Sequence, residues 1–286
     1  MRPTRALTAI AAIALLAACG SSSTSGGGGG SVSPPPDSAL FEAGTLTFGS
    51  DISYPPQEFY DPAGSQNAAG FDVDLAKAIT AKLGLKFKIV NQAFNGIIPA
   101  LNAKKYDAII SAMTINADRK TTVDFVPYFV AGEAFVVQKT STYKPTKLED
   151  LCGHKVAVED GTAEKDEASG LNEPGKACAS NKITLHTYTV DTEALAQLKK
   201  VPPTDDVHFT DSPVADYEVS KDPSLVVTGQ AIEVAPEGIA VRKGDTAILN
   251  AITQAFDALK SDGTYDSLLK KWGVSDGDIR KASPAP

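Results

Sequence analysis

The sequence is poor in the residues that usually bind metals. Its 286 residues include three cysteines and three histidines, which are His154, His186 and His208. Neither Cys152 nor Cys178 lies in a Cys-x-x-Cys motif, and the histidines lack the spacing of His-Glu-x-x-His or similar sites. We therefore expect no metal site, and no pattern in the chain implies a cofactor.

Long hydrophobic runs are also scarce, and the most marked one lies at the start of the chain. Ala6 to Ala18 is an apolar stretch of thirteen residues, whereas a membrane-spanning helix needs about 20. It follows Arg2 and Arg5, and a short apolar segment after basic residues is typical of a cleaved secretory signal. We therefore predict that residues 1–18 form a signal peptide.

The end of this segment indicates lipid attachment. Leu16-Ala17-Ala18-Cys19 resembles the lipobox of bacterial lipoproteins, in which the cysteine becomes the acylated first residue of the mature chain. Residues 19–38 contain almost only Gly, Ser, Thr and Pro, which is typical of a flexible tether. Acylation of Cys19 would hold the protein at a membrane. The alternative is ordinary cleavage after a small residue, with Cys19 incidental.

Basic residues are fewer than acidic residues in this chain. The chain carries 27 Lys and Arg against 35 Asp and Glu, a net charge of −8. Loss of residues 1–18 would remove Arg2 and Arg5 and leave 25 basic against 35 acidic residues, a net charge near −10. This balance disfavours a nucleic-acid partner and gives little attraction to an anionic membrane surface.

The two remaining cysteines form an even pair. Disulfides persist in exported proteins, so we predict that Cys152 and Cys178 are bridged. The bridge would close a loop of 25 intervening residues and contribute roughly 3 kcal/mol to stability in the chain-entropy model. Two free buried thiols are the alternative.

From about residue 39 to residue 273, short β-branched runs alternate with amphipathic helical stretches. A β-α-β-α-β order predicts a mostly parallel sheet covered by helices, and this length predicts two lobes. The predicted strands are Thr45–Ser50, Leu85–Val90, Ala108–Ala112, Lys155–Val158, Ile183–Thr187, Val207–Thr210 and Gly238–Val241. The predicted helices are Phe71–Leu83, Asn95–Lys104, Thr162–Leu171, Thr192–Lys199, Thr246–Ser261 and Tyr265–Trp272.

Recognisable motifs lie in and near the loops after these strands, where open α/β sheets bind ligands. Gly70-Phe71-Asp72-Val73-Asp74-Leu75, followed by Ile79, resembles the signature of family 3 of the bacterial extracellular solute-binding proteins, the polar amino acid receptors of ABC importers. Thr80 departs from the pattern, because a small apolar residue is usual there. Further blocks match in the family's order, among them Ser50–Pro56, Ile97–Leu101, Ser111–Ile115 with Arg119, Gly161-Thr162, Thr210–Ala215, Gly238–Val241 and Asp262–Tyr265.

The resemblance implies an α/β fold of the type II periplasmic-binding-protein class, in which two α/β lobes are joined by two hinge strands. Lobe 1 would comprise residues 39–130 and 239–286, and lobe 2 residues 131–238. The implied function is capture of a free amino acid outside the cytoplasm, on the periplasmic or cell-wall side, and its delivery to an ABC permease. The protein would be a lipid-anchored monomer.

The resemblance also implies a partner for each charge of the amino acid zwitterion, since an unpaired buried charge is costly. Arg119 matches the carboxylate-binding arginine of the family, and a planar guanidinium suits a carboxylate; a solvated helix charge is its alternative. Asp211 matches the ammonium acceptor, supported by the Thr114 hydroxyl and the Ala112 carbonyl. The alternative for Asp211 is the N-cap of a helix that begins near Ser212.

Further contacts to the ligand's carboxylate would come from the backbone. Thr162 and Ala163 lie at the start of a predicted helix and would offer N–H groups. Many relatives carry a threonine where Ala163 stands, so one side-chain contact is missing here. Met113 lies between Ala112 and Thr114 in a matching block and belongs to the expected site.

The ligand's side chain is expected to lie among Asp51, Tyr54, Phe59, Phe94 and Glu159. Tyr54 and Phe94 resemble the aromatic pair that sandwiches this side chain in the family, with core packing as the alternative. Asp51 has a second possible role in capping the turn that follows it. Two acids that face the cleft would favour Lys, Arg, ornithine or His by Coulomb attraction.

Two other functions compete with transport. An amino acid-sensing lipoprotein would use the same binding chemistry but report to a membrane sensor. Some relatives with this fold are enzymes that dehydrate prephenate or arogenate, as cyclohexadienyl dehydratase does, and Glu164 is the acid to watch in that respect. No nucleophile–base–acid trio is evident, because the available acids are needed for the ligand. We therefore expect a binding protein and not an enzyme.

Overall fold

The computed structural model of the chain describes residues 32–281. The predicted signal peptide, Cys19 and most of the predicted tether lie outside the described residues. Within the last residues of that tether, Pro35 is buried and Val32 packs against the larger hydrophobic core. In the described part of the chain, no helix is long and apolar enough to cross a membrane.

Most strands belong to one mixed sheet. The strands are β1 (Thr45–Ser50), β2 (Phe59–Tyr60), β3 (Ala68–Ala69), β4 (Lys86–Asn91), β5 (Ala108–Ile109), β6 (Val123–Gln138), β7 (Lys155–Glu159), β8 (Thr184–Tyr188), β9 (Val207–Asp211) and β10 (Leu225–Arg242). Eight of them form a sheet in the order β4-β1-β5-β10-β6-β9-β7-β8, while β2 pairs with β3. The long strands β6 and β10 therefore lie at the centre of the sheet.

Each predicted helix has a counterpart whose ends differ by no more than a turn. The helices are α1 (Phe71–Lys82), α2 (Ile97–Asn102), α3 (Ala117–Thr122), α4 (Ala163–Gly170), α5 (Asp191–Leu198), α6 (Ser212–Lys221), α7 (Thr246–Ser261) and α8 (Thr264–Trp272). Short 3₁₀ turns are formed by Asp37–Ala39, Phe94–Gly96, Leu148–Leu151, Ser275–Gly277 and Ile279–Lys281. Helices α3 and α6 were not listed among the predicted elements, although a helix that begins near Ser212 was named in the alternative role of Asp211.

The direction of pairing changes across the sheet. At its flanks, β1 is parallel to β4 and β5, and β7 is parallel to β8 and β9, as the β-α-β order predicted. At its centre, β10 is antiparallel to β5 and β6, and β6 is antiparallel to β9. The predicted strand Gly238–Val241 is only the last part of β10. Register shifts between Thr228 and Gly238 interrupt the earlier part, so it lacks the regular alternation of a strand.

Separate hydrophobic cores lie on the two flanks. The larger core packs Phe48 of β1 and Phe71 of α1 against Phe256 of α7. A second core contains Phe135 and Phe209, whose rings stack with centroids 4.9 Å apart. We call the flank with β4, β1 and β5 lobe 1, and the flank with β9, β7 and β8 lobe 2. The predicted fold, two α/β lobes joined by two strands, is confirmed, because β6 and β10 run through both.

The predicted disulfide is also present. Cys152 and Cys178 are bonded in lobe 2, with their Cα atoms 5.0 Å apart. Cys178 is fully buried in the second core, and Cys152 packs against it. The bridge thus fastens the segment after α4 to the 3₁₀ turn that precedes β7.

The signature motif connects α1 to the loop after β5. Gly70 precedes α1 with φ 128°, and a Cβ there would lie 2.0 Å from the carbonyl oxygen of Gln57, so only glycine fits. The Oδ2 atom of Asp72 accepts hydrogen bonds from the Ala112 amide at 2.9 Å and from the Tyr128 hydroxyl at 2.6 Å. The motif therefore holds in place a loop in which ligand-binding residues are predicted.

Candidate functional site

Loops that follow the strands of both lobes enclose a cavity between them. Its empty volume is about 290 Å³, part of it open to solvent. Such a position, beyond the carboxyl ends of parallel strands, is where open α/β sheets bind ligands. The cavity is lined by Asp51, Tyr54, Glu58, Phe94, Ser111, Ala112, Thr114 and Arg119 from lobe 1, and by Glu159, Thr162, Ala163, Glu164 and Asp211 from lobe 2.

Ten of the twelve predicted ligand-binding residues line this cavity, and Phe59 and Met113 do not. The ring of Phe59 instead contacts Trp272 edge-on, with centroids 5.9 Å apart, and Tyr217 at 6.1 Å. The Met113 side chain is fully buried in a hydrophobic cluster of lobe 1, and its carbonyl accepts the Gly238 amide at 2.9 Å. These two residues therefore lie outside the cavity.

Arg119 reaches from lobe 1 to lobe 2. Asn116 caps α3 by accepting the Arg119 amide at 2.9 Å, and this places the guanidinium in the cavity. Its Nη1 donates to the Thr114 carbonyl at 2.7 Å and its Nη2 to the Gly161 carbonyl at 3.0 Å. Burial lowers the pKa of Arg119. A guanidinium has five N–H donors, so the two bonds leave donors for a carboxylate.

Asp211 lies at the end of β9 and meets Tyr54 from the opposite lobe. The Tyr54 hydroxyl donates to Oδ2 of Asp211 at 3.0 Å, and the Asp211 amide donates to the same hydroxyl at 3.1 Å. Asp211 precedes α6, but its side chain makes no capping hydrogen bond to that helix. The structure therefore directs this carboxyl into the cavity and not along the helix.

The start of α4 forms the floor of the site on the lobe 2 side. Thr162 is the N-cap residue, and its hydroxyl donates to the Glu159 carbonyl at 2.8 Å and accepts the Lys165 amide at 3.3 Å. The preceding Gly161 has φ +88°, and a Cβ there would lie 2.7 Å from Cα of Asn95 in lobe 1. Glycine is needed at this close approach of the two lobes.

A pair of acids lies at another part of the wall. Asp51 accepts the Phe94 amide at 2.9 Å and the Ser53 hydroxyl at 2.6 Å, so it also orders its own loop. Glu159 lines the same cavity from lobe 2, where burial and the nearby charge of Asp51 raise the pKa of its carboxyl. The ring of Phe94 stacks under Arg119, whose guanidinium carbon lies 5.3 Å from the ring centre. Asp51 and Glu159 thus bring two acids together across the cleft.

Sequence reasoning did not assign Glu58, Ser111 and Glu164 to the ligand site. The Ser111 hydroxyl donates to Glu58 at 2.7 Å and accepts the Asp51 amide at 2.9 Å. Ser111 lay in a matching block and Glu164 was noted as a possible cleft acid, so both had some signal. Glu58 had none, because its loop contains no pattern that fixes the direction of individual side chains.

The electrostatics of the cavity are strongly acidic. Five carboxyl groups and a single guanidinium line it. Burial disfavours the charged form of a carboxyl group, and neighbouring acids add repulsion. The pKa is accordingly raised above its ordinary value for all five, which are Asp51, Glu58, Glu159, Glu164 and Asp211. The site is therefore suited to a ligand that carries positive charge.

No group of three or more His, Cys, Asp or Glu residues within residues 32–281 is arranged to hold a metal ion. A buried histidine–aspartate pair lies behind the wall, in which Nε2 of His208 is 2.8 Å from Oδ1 of Asp191. The Thr210 hydroxyl donates to the same Asp191 oxygen at 3.0 Å. Neither His208 nor Asp191 lines the cavity.

The sequence matches a known protein family over most of its length. A family model described as bacterial extracellular solute-binding proteins, family 3, matches residues 46–275. The ABC transporter arginine-binding protein 1 of Escherichia coli (strain K12) is 30% identical over 237 residues, 80% of this chain and 91% of that protein. The ABC transporter glutamine-binding protein GlnH of Bacillus subtilis (strain 168) is 31% identical over 274 residues, 93% of this chain and 95% of that protein.

Solved structures of amino acid-binding proteins are also similar to this chain. The holo form of ArgBP from T. maritima superposes with a TM-score of 0.69 and 41% identity, covering 80% of this chain and 96% of that chain. The ancestral amino acid-binding protein AncCDT-1, a precursor of cyclohexadienyl dehydratase, superposes with a TM-score of 0.70 and 39% identity, covering 80% and 95%.

Proposed function

Because the chain belongs to family 3 of the bacterial extracellular solute-binding proteins, we propose that its cavity captures one free amino acid for an ABC importer. The chain has the predicted type II periplasmic-binding-protein fold. Its relatives are binding proteins of amino acid ABC transporters, which supports a role in transport. The observation that carries the proposal is that Arg119 and Asp211 face one cavity from opposite lobes.

These two residues match the two charges common to all amino acids. The α-carboxylate would lie against the free donors of Arg119 and the backbone at the start of α4, where the helix dipole also favours negative charge. The α-ammonium would lie against Asp211 and the Thr114 hydroxyl. Both charges of the zwitterion are then paired when it leaves water, which a buried ion requires.

Asp51 and Glu159 line a different part of the cavity wall and favour a basic amino acid. We propose arginine as the first ligand to test. A guanidinium between Asp51 and Glu159 would offer donors and a positive charge to both carboxyls, whereas a neutral amide side chain would offer donors without the charge. The name of the relative from Escherichia coli specifies arginine binding, and a variant of the T. maritima ArgBP is described as arginine-bound. The relative from Bacillus subtilis is a glutamine-binding protein, so glutamine is the ligand to test against arginine.

Capture would involve closure of the lobes around the ligand. We propose residues 39–130 and 239–286 for lobe 1 and 131–238 for lobe 2, with β6 and β10 as the hinge strands. Hydrogen bonds across the cleft join Arg119 to Gly161, Tyr54 to Asp211, and Asn95 to Asp160, the last at 2.9 Å. These bonds would part when the lobes open, and ligand binding would favour closure by its higher affinity for the closed form.

We also propose that the protein acts outside the cytoplasm as a lipid-anchored monomer and docks on an ABC permease. Residues 1–18 would be removed, Cys19 would be acylated, and residues 19–38 would serve as the tether. Metabolic labelling with a fatty acid tests the anchor. If the unmodified protein is labelled and the Cys19→Ser variant is not, the result supports the lipid anchor. Equal label in the variant contradicts the anchor.

The function itself is tested by a thermal-shift screen of the protein against the twenty amino acids, ornithine, citrulline and prephenate. A ligand that binds the folded state at a hundredfold excess over its Kd adds about 2.7 kcal/mol to stability. A shift with arginine, lysine, ornithine or histidine supports the proposal. A shift with glutamine alone would keep the zwitterion site and contradict the role of Asp51 and Glu159.

The same screen separates the enzyme alternative. The solved relative that precedes cyclohexadienyl dehydratase is itself described as an amino acid-binding protein, so we propose that this chain is not an enzyme. A shift with prephenate, together with its turnover by the protein, would contradict that. A sensing protein would differ from a transport protein in its membrane partner. Deletion of the importer's permease distinguishes sensing from transport, because uptake of the ligand is lost in the case of transport.

A further inference from the structure

A row of carboxyl groups leads from the cavity to the outer surface of the protein. It begins at Glu164 on α4, which lines the cavity and is 3% exposed. It continues to Glu133 on β6, which is 5% exposed and lies outside the cavity. Next comes Glu167, one turn after Glu164 on α4. Glu133 and Glu167 also line an open groove at the surface, together with Glu233 and Asp166.

Several of these oxygens have no donor among the described residues. The unpartnered atoms are Oε1 of Glu164, Oε2 of Glu133 and Oε2 of Glu167. A buried carboxyl group without a donor favours its protonated form, because burial disfavours the negative charge. Burial raises the pKa of Glu167, and the charge of Glu233 on β10 adds to the rise. Burial and the neighbouring acids raise the pKa of Glu133 to about 11.

Nearly all charged groups that face this row are acidic. Glu133 faces Asp211, its register partner on β9, as well as Glu164 and Glu167 on α4. Glu167 also faces Glu233 on β10. Glu164 faces Asp211, Asp191 and the guanidinium of Arg119. Arg119 is thus the one basic group among those that act most strongly on Glu164, and its charge would be taken up by the carboxylate of a bound amino acid.

The charges of the cavity do not balance without protons. Its five acids and one arginine would carry a charge of −4 if all were ionised, and a basic amino acid brings a net charge of +1. Several carboxyls therefore keep their protons even in the complex. The ligand's second positive charge would lie between Asp51 and Glu159, and Glu164 is among the groups that act on Glu159. This charge therefore makes ionisation of Glu164 more favourable than it was before.

We propose that Glu164 and Glu133 are further specificity-determining residues that hold protons in the free protein and release one when a cationic amino acid binds. One carboxyl O–H bond breaks, the proton passes through Glu133 and Glu167 to water, and the carboxylate that remains is the countercharge of the ligand. A neutral amino acid provides no such driving force. The inference rests on the proposed function, because it needs a cationic ligand in the cavity.

The sign of the pH dependence follows from this release. A bound cation lowers the pKa of the carboxyls near it, so the complex binds fewer protons than the free protein. Affinity for arginine should therefore rise with pH, by up to about tenfold per unit for one proton released. The range from about pH 5 to about pH 7 lies below the titration of an α-ammonium group.

Isothermal titration with arginine in buffers of different ionisation enthalpy measures the released protons directly. We expect about one proton per arginine, and less in Glu164→Gln and in Glu133→Gln. Because Glu133 does not line the cavity, its variant tests the row without touching the ligand. The matched control is Glu173→Gln, at an exposed position beyond α4, which should release as many protons as the unmodified protein.

The two proposals fail in different ways. This inference would be overturned if the heat of arginine binding were independent of the buffer. It would also be overturned if neither Glu164→Gln nor Glu133→Gln reduced the proton release. In both cases the proposed function would stand. A protein that binds no amino acid would overturn the proposed function and this inference with it.

Discussion

Arg119 and Lys120 are neighbours in the chain and offer a matched test of the zwitterion site. Arg119 is half-buried, lines the cavity and donates to the Thr114 and Gly161 carbonyls at 2.7 and 3.0 Å. Lys120 is exposed and does not line the cavity. We expect Arg119→Gln to abolish most of the affinity for an amino acid and Lys120→Gln to leave it unchanged.

The expected loss follows from the contacts of Arg119. Removal of one partner of a buried, hydrogen-bonded charge pair costs about 2 to 5 kcal/mol, which corresponds to a rise in Kd of roughly 30-fold or more. The variant also loses the bond to Gly161 that joins the lobes. Arg119→Lys keeps the charge but cannot reproduce a two-pronged contact, so its loss should be intermediate.

The Arg119→Gln and Arg119→Lys variants should both fold. Arg119 lies on the short helix α3, outside the hydrophobic cores, and burial of its charge does not favour the folded state. Calorimetric titration with arginine gives the Kd, and thermal unfolding without ligand gives the stability. A folded Arg119→Gln variant that binds within about threefold of the unmodified protein would refute the assignment of the carboxylate site.

Three further predictions concern other parts of the fold. Replacement of both Cys152 and Cys178 by Ala should lower the free energy of unfolding by about 3 kcal/mol in urea and leave the Kd for arginine unchanged; a large loss of affinity would show that the bridge shapes the site. Gly161→Ala should weaken binding by about 1 to 3 kcal/mol in calorimetry, because its positive φ and the approach of Asn95 exclude a Cβ; an unchanged Kd would contradict this. Burial raises the pKa of Asp72 from 3.8 to about 6, so the unfolded chain loses this proton first. The free energy of unfolding should then fall by up to about 3 kcal/mol between pH 4 and pH 7, and a slope unaltered in Asp72→Asn would argue against it.

The periodic elements of the fold could be predicted from the sequence. In α7, apolar residues recur with the helical period and place Ile248, Ile252 and Phe256 in the core, so the predicted bounds match the structure. The long strand β10 was recognised only at its end. Its central part, around Glu233, is largely exposed and irregular in register, and no local pattern distinguishes such a segment from a loop.

Side-chain directions in the loops could not be predicted in the same way. Glu58 and Phe59 are adjacent, yet Glu58 lines the cavity while Phe59 turns outward to Trp272. Successive side chains of an extended segment point to opposite sides, so an error of one residue exchanges the two roles. Arg119 and Asp211 line the cavity as predicted, and each lies in a block that matches the family's order.

The most direct test of the proposed ligand site is a crystal structure of the protein grown with arginine. We predict the ligand in the cavity, with its α-carboxylate within hydrogen-bond distance of Arg119, its ammonium at Asp211 and its guanidinium between Asp51 and Glu159. An empty cavity at saturating arginine, or arginine bound with its guanidinium at Asp211, would contradict it.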